Sequence, residues 1–599
     1  MVRGRSVPVL LFLVVLTVRP HMAGGAYPFA QGLVLIPGLV GLALLFLTPA
    51  YSISLPKKFL PLMALPWILA LWALISMAWA PDPGQGSREI VGLLCNLTVF
   101  TFVFFWIQES VDLEKISVPV LSLVVLPVLA SAFYQRIFGF GKIRETLQRM
   151  DQSGEPVANL VGIISQNRVF AGFLNSNMLA GFLAITIPFT LDLALGARHR
   201  RRLLYFYILL AAQGTVLIMT GSLGGTLAAA AMTGAVFLVR RSVKPRDMIL
   251  ACAILAFFAA GLFTIRGIGF LFGPDSSLFQ RAGYMAAGIR MASVHPLLGW
   301  GAGASPGALM GFVAEGVRPV ADPHNFLLRA WISWGLPGLA VLVVFLSLWF
   351  KSVMGLFRAR GLRMGPQGYA GLVFGSAAFL GHSLLDMDFF VPEAALFGWC
   401  ALGAALGMAA AHSEGLGRGT PMTFSRGRMV LGGVVLVTVL PAFAFLQGES
   451  IAYRGHKAVE EREFEEAARL YSAARTILPF NGRIALDEGR ARFADDDRPA
   501  ARVLFREADT LMRASPYPSW EMARLYQAQG DWEKSVPLLE RALSRFNTSP
   551  RIRIDLARAY LNMRDVEKVI RYLKEARRYA IFDTQAREMA DEILVLIKQ

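Results

Sequence analysis

Apolar stretches of about 17 to 25 residues recur along this chain, long enough to cross a bilayer as helices, and that pattern leaves little room for any fold but a membrane-spanning bundle. The runs fall near residues 7–22, 31–49, 59–79, 90–107, 116–134, 170–195, 203–220, 223–240, 248–266, 326–350, 368–385, 392–411 and 428–446, which predicts about thirteen spans. Of the 599 residues, 55% are hydrophobic and 17% charged, which is too apolar for a soluble protein of several domains. The formal charge of +17 is spread over short clusters between apolar runs and forms no dense stripe. Basic loops facing the cytoplasm are therefore expected, with no nucleic-acid partner. Cys95, Cys252 and Cys400 lie inside apolar runs without CxxC or Cys/His spacing; they read as small core residues, and no metal site is expected.

Lys and Arg resist transfer across a membrane, so the short basic loops set the orientation. These are Lys57–Lys58, Arg198–Arg202, Arg240–Arg246, Lys351–Arg363 and Arg418–Arg428. With the N-terminus inside, all of them fall on the cytoplasmic face, and an odd number of spans carries the C-terminus out. The connections 135–169 and 267–325 then also lie outside. Arg3 and Arg5 before the run from Val7 resemble a signal peptide, but an uncleaved first span is the preferred reading.

After Gln447 the composition turns charged and Ala-rich, and a period of 34 residues sets in. Gly455, Gly489, Ala523 and Ala557 share one register position, and Ala474, Ala508, Ala542 and Ala576 another. Tyr471, Phe505, Leu539 and Leu573 keep step with them, as do the small Ala467, Ala501 and Ser535. Gly530-Asp531-Trp532 reads as the turn of the clearest repeat, Ser519–Asn547, whereas Arg492 departs from the usual aromatic. The pattern is that of tetratricopeptide helical hairpins, about four of them, which hold partners or brace neighbours. The division expected is 1–447 for a membrane domain with its outer loop 267–325, and 448–599 for a periplasmic repeat domain. The fold class is all-α.

Polar groups at a membrane surface are costly unless they pair or act. The outer loop holds the richest set. Arg281 and Tyr284 share a helical stretch over 277–294, followed by the rigid His295-Pro-Leu-Leu-Gly-Trp-Gly-Ala-Gly. Asp322-Pro323-His324-Asn325 then closes the loop. Proline disfavours helix in the residue before it and Asn325 is a good N-cap, so the span should start just after His324. A helix N-terminus disfavours an imidazolium, which keeps His324 able to take a proton, and its free amides suit an anion. A histidine beside a cap also has a purely structural reading. A second cluster is Arg168 with Asn175 and Asn177; Arg168 can reach a phosphate or simply snorkel. A third is His382-Ser-Leu-Leu-Asp386-Met-Asp388, where His382 and Asp386 stand one helical turn apart and can hydrogen-bond.

In this order, Arg168 to Gly181, Arg281 with His295-Pro-Leu-Leu-Gly-Trp-Gly, His324-Asn325-Phe-Leu with Gly335 and Gly338, and His382-Ser-Leu-Leu-Asp386 resemble the O-antigen ligase and polymerase superfamily. No single motif is specific; the ordered set, over roughly residues 30–410, carries the likeness. The resemblance implies a metal-independent, inverting membrane glycosyltransferase, GT-C-like, needing no cofactor. The donor would be an undecaprenyl-pyrophosphate-linked glycan and the acceptor a hydroxyl on lipid A core or another lipid-linked glycan. The bacterial inner membrane is the implied location, the lipid bilayer a constant partner, and the repeats a docking place for a further protein. By that likeness His324 activates the acceptor hydroxyl, Arg281 and Arg168 contact pyrophosphate, and Asn177, Asn325, His382 and Asp386 complete substrate binding. One departure stands out. Where the family carries an arginine after a serine, the chain reads Thr220-Gly-Ser222-Leu223-Gly-Gly, leaving Arg168, Arg290 or Arg266 to substitute.

Ligase and polymerase share a donor and differ in acceptor, so both stay open. A transporter of lipid-linked glycan would show internal pseudo-symmetry, which the spans lack. A non-catalytic scaffold has no need of a histidine at a helix start.

Overall fold

A computed structural model describes residues 6–19, 29–48, 54–108, 113–142, 145, 167–173, 175–240, 276–360, 366–412, 422–423, 429, 432–433, 435 and 438–598. The expected span 248–266, Arg266 among it, and residues 428, 430–431, 434 and 436–437 of the expected span 428–446 lie outside them. The regular secondary structure of the described residues is helical apart from a two-residue antiparallel pairing of Ser54–Leu55 with Met422–Thr423. Among the described residues, nine helices are long and apolar enough to cross a membrane. The protein is a multi-pass membrane protein.

The helices before the repeats are α1 (Ser6–Val18), α2 (Phe29–Leu47), α3 (Leu60–Ser76), α4 (Pro83–Gln108), α5 (Leu113–Tyr134), α6 (Ser176–Gly196), α7 (Arg200–Thr220) and α8 (Leu223–Arg240). They continue with α9 (Ser277–Val294), α10 (Phe326–Arg360), α11 (Tyr369–Ser383) and α12 (Pro392–Ala411). Two compact units emerge. The first comprises residues 1–70, 91–269 and 340–443, the second 71–90, 270–339 and 444–599.

In the first unit α6 packs along α8 and α11. Between helices in lipid there is little hydrophobic gain, so close approach must come from small residues. Gly371 and Gly375, one turn apart on α11, supply it: a Cβ on the first would stand 2.5 Å from Phe189 Cα, and on the second 2.5 Å from Ile185 O. At one end of this contact Asp192 accepts from the Gly371 amide at 2.9 Å and pairs with Arg240 at 2.5 Å. Phe100, Phe345 and Trp399 fill the interior, their ring centroids 5.7 to 5.8 Å apart.

In the second unit the repeats are built by α13 (Val439–Glu460), α14 (Phe464–Ile477), α15 (Gly482–Ala494), α16 (Arg498–Leu511), α17 (Tyr517–Ala528), α18 (Trp532–Arg545), α19 (Pro550–Asn562), α20 (Val566–Tyr579) and α21 (Thr584–Lys598). The register residues are the core: Ala467, Ala501, Ser535, Ala474, Ala508, Ala542 and Ala576 are all fully buried. Small and large alternate in compensation across each hairpin. Where the partner is aromatic the facing residue is glycine, since a Cβ on Gly455 would stand 2.8 Å from Tyr471 Cε1, and on Gly489 2.7 Å from Phe505 Cε1. Where the partner is Leu539 or Leu573, alanine fits at 523 and 557.

The turn inside each hairpin needs one left-handed residue. Arg462, Asp496, Gly530 and Arg564 occupy it, with φ of 63°, 62°, 77° and 62°. Only the third has glycine there, which is why that repeat is the most legible in sequence. Asp497, Asp531 and Asp565 then cap the second helix of their hairpins, accepting from the amides of Ala500, Lys534 and Lys568. Arg88 on α4 forks onto Glu449 at 3.0 to 3.1 Å, and Asn481 donates to the same carboxylate at 3.1 Å, which joins the first repeat to residues 71–90 of its unit.

Candidate functional site

α10 is two helices in sequence terms, because Gly335 breaks it with φ 64° and ψ −168°. A break strands carbonyl groups that lipid cannot satisfy, so protein must cover them. The turn after α9 does so. Trp300 N donates to Ile332 O at 2.7 Å, Gly301 N to Ser333 O at 3.0 Å, and the indole of Trp72 to Trp334 O at 2.8 Å. Leu336 N returns to Pro296 O and Leu297 O at 3.2 and 3.1 Å. Gly299 and Gly335 meet backbone to backbone, a Cβ on Gly299 standing 2.5 Å from Gly335 N. The His-Pro-Leu-Leu-Gly-Trp-Gly motif is thus the cover of a broken helix.

That cover fixes the segment ahead of α10. As expected, the helix starts at Phe326, with Asn325 Oδ1 accepting from Leu328 N at 3.0 Å. His324 is held in the left-handed region with φ 55°, a conformation that costs a non-glycine residue about 1–2 kcal/mol. Asp322 secures it, accepting from His324 N at 2.7 Å through one oxygen and pairing with Arg329 through the other. Arg329 also reaches Glu89 at 3.2 Å.

The His324 ring rests on Tyr284, with centroids 5.0 Å apart and planes at 31°. One turn further along α9, Gly288 admits Pro323, which a Cβ there would approach to 2.8 Å. Burial pushes the Tyr284 phenol up, while Arg318 and Arg281 nearby oppose the shift; the group stays a neutral donor. Arg318 is placed by Gln280, which accepts from Arg318 N at 2.8 Å and donates to Gly316 O at 3.1 Å. A histidine on a tyrosine, with two guanidinium charges within electrostatic reach of that tyrosine, is an arrangement suited to moving a proton beside an anion.

The first unit holds the other candidates. Asn175 caps α6, accepting from Asn177 N and Met178 N at 2.9 and 3.0 Å. Arg168 donates to Asn177 Oδ1 and to Thr220 O, both at 2.7 Å, and Asn177 passes the relay to Asp386 Oδ2 at 2.8 Å. Arg168 therefore sits on the α7–α8 junction, where the expected arginine is missing. Arg290 is elsewhere, holding Phe312 O at 2.6 and 3.2 Å from the exposed face of α9.

The helical spacing of His382 with Asp386 does not set the bond that His382 makes through Nδ1. That bond goes to Asp388 at 2.5 Å, because α11 ends at Ser383 and the chain turns before Asp386. Gly181 on α6 leaves the room, since any Cβ there would collide with Asp388 Oδ2.

Sequence reasoning named Asp388 in the third cluster but gave His382 the partner Asp386, and it passed over Gln280, Arg318 and the Arg329–Asp322–Glu89 network. A signal for the last was present: an arginine four positions inside an apolar run demands a carboxylate partner.

Residues 206–343 match the O-antigen ligase family and residues 526–589 the tetratricopeptide repeat. No curated protein matches the chain. Among solved structures, that of the APC/C hetero-tetramer Cut9-Hcn1 is similar at 9% identity over 85% of this chain and 77% of that one, with a TM-score of 0.23. The yeast Tom70 structure is similar at 12% identity over 84% and 96%, with a TM-score of 0.24.

Proposed function

Starting from a membrane chain that carries an O-antigen ligase region and tetratricopeptide repeats, we propose that it transfers a glycan from undecaprenyl pyrophosphate to an acceptor hydroxyl on the periplasmic side of the inner membrane. The observation that carries this reading is the His324–Tyr284 pair, held at the start of α10 inside the matched region. In the proposed step the acceptor oxygen attacks the anomeric carbon as its proton passes to His324. The bond from that carbon to the pyrophosphate oxygen breaks on the opposite face, so the configuration inverts. Negative charge grows on the leaving diphosphate, and Arg281, which like Arg318 acts electrostatically on Tyr284, is assigned to stabilise it through charge-assisted hydrogen bonds. A diphosphate leaves without an acid to protonate it, and no metal or cofactor enters the scheme.

The Arg168–Asn177–Asp386 relay occupies the junction where the family places a phosphate-binding arginine, and a lipid-phosphate contact is what we assign to Arg168. The His382–Asp388 pair is assigned to substrate binding beside it. Residues 448–599 are proposed as a periplasmic repeat domain, with the N-terminus cytoplasmic.

A ligase is the first reading and a polymerase extending lipid-linked repeat units the second. Gel separation of surface polysaccharide from a deletion strain tells them apart. A ladder lost from lipid A while lipid-linked polymer accumulates marks a ligase; a single repeat unit left on the acceptor marks a polymerase. An unchanged profile contradicts both.

A further inference from the structure

Within the second unit, a cavity of about 890 Å³ opens between the cover of the broken helix and the repeats. One wall carries Trp79, His295, Trp300 and Phe312, the other Arg513 and Arg545. The rings meet edge to face, His295 to Trp300 at 4.6 Å and Trp300 to Phe312 at 6.0 Å between centroids. Arg513 lies in the turn between α16 and α17, its amide on Pro81 O and its guanidinium on Ala80 O, each at 2.9 Å. Arg545 ends α18 and is shared with Asp509 at 2.5 Å and Ser515 O at 2.9 Å. No carboxylate is among the lining residues.

Three properties select an occupant. Flat aromatic faces offer apolar contact to the C–H faces of sugar rings while their polar tips stay free to bond. The Arg513 guanidinium, held on a carbonyl and not on a carboxylate, together with Arg545, whose charge Asp509 offsets in part, favours an anionic substituent. The volume lies near the top of the range for small-molecule sites, about 300–1,000 Å³, so it holds more than one sugar ring.

We propose that this cavity binds a segment of acidic glycan, its rings on Trp79, Trp300 and Phe312 and its anionic group between Arg513 and Arg545. The assignment rests on the glycan-transfer reading for the source of such a ligand, and it gives the repeats a direct part in holding polymer.

The test uses the full chain in lipid nanodiscs, titrated calorimetrically with tetragalacturonate and, separately, with neutral maltotetraose. Tetragalacturonate is expected to bind at least about tenfold more tightly than maltotetraose, and Arg513→Gln to weaken it about tenfold, the scale of one charge-assisted hydrogen bond. Ser544→Trp, at an exposed rim position of the cavity, plugs it at the cost of one exposed hydrogen bond, from Ser544 Oγ to Arg541 O at 2.7 Å, and should abolish binding. Absence of tetragalacturonate binding, or binding unchanged in Ser544→Trp, overturns the proposal. So does decanoate binding lost in Ser544→Trp with no saccharide binding, which assigns the cavity and its exposed Leu297 and Leu298 to an acyl chain. His324→Ala separates the two readings. Transfer lost with tetragalacturonate binding retained supports both; transfer retained with binding still sensitive to Ser544→Trp leaves the cavity standing and removes the transfer mechanism.

Discussion

Tyr284 and His324 meet ring to ring, with centroids 5.0 Å apart and planes tilted by 31°, one from the helix that opens the outer loop and the other from two positions ahead of α10. The tyrosine ring fixes the imidazole plane, and its hydroxyl is not needed for that. Tyr284→Phe should therefore keep most of the transfer rate, while Tyr284→Ala should lose about tenfold to a hundredfold, as expected when a general base is misplaced. Steady-state kinetics on both variants checks this; equal rates would separate the tyrosine from the site.

Arg281→Lys keeps the charge and loses the planar fork. If Arg281 contacts a diphosphate, the rate should fall about tenfold or more, because a lysine cannot make two parallel hydrogen bonds to one group. Wild-type turnover would identify Arg281 as an anchor of α9 alone.

Gly489 and Phe505 are a matched pair. Gly489→Ala should destabilise the second repeat by about 1–3 kcal/mol through overpacking, and Phe505→Leu in the same chain should restore much of it, reproducing the Ala523/Leu539 combination of the next repeat. Hydrogen exchange across α15 and α16 measures both effects.

The left-handed turn positions predict the reverse sign. Arg462→Gly and Arg564→Gly should each stabilise their hairpins by up to about 1 kcal/mol, since only glycine takes that backbone without steric cost. Asp496→Gly gains less, because Asp496 accepts from Arg498 at 2.8 Å and loses that bond. Local exchange rates around residues 460–466 and 562–568 are the readout.

His456 makes the first repeat sensitive to acid. Burial lowers its pKa, with Asp487 opposing, and its Nδ1 lies 2.8 Å from the Tyr471 hydroxyl. A depressed folded value means the neutral ring is favoured by folding, so its contribution is full above the unfolded value of 6.5 and is lost as the pH falls through the folded one. Protection factors in α13 and α14 should fall on acidification below 6.5, and His456→Gln should flatten the dependence.

Much of this architecture was legible in the sequence because its determinants are periodic. Apolar run length marked the nine candidate spans among the described residues, and the 34-residue register marked the buried faces of the repeats, Ala501 and Phe505 among them. Asn325 declared the start of α10 through a local cap. What stayed hidden depends on contacts between distant segments. Nothing near Gly335 says that Trp72 and Trp300 will cover its carbonyls, and nothing near His382 says that the helix stops one residue later and brings Asp388 to the imidazole. Nothing near Gly371 and Gly375 says that Phe189 and Ile185 will pack against them.

The most direct measurement is glycan transfer by the purified full chain in nanodiscs, with an undecaprenyl-pyrophosphate-linked glycan as donor and lipid A core as acceptor. The account predicts turnover by the wild type and a loss of about a hundredfold or more in His324→Ala, the scale of a missing general base, at unchanged protein level. Transfer by His324→Ala at the wild-type rate would contradict it.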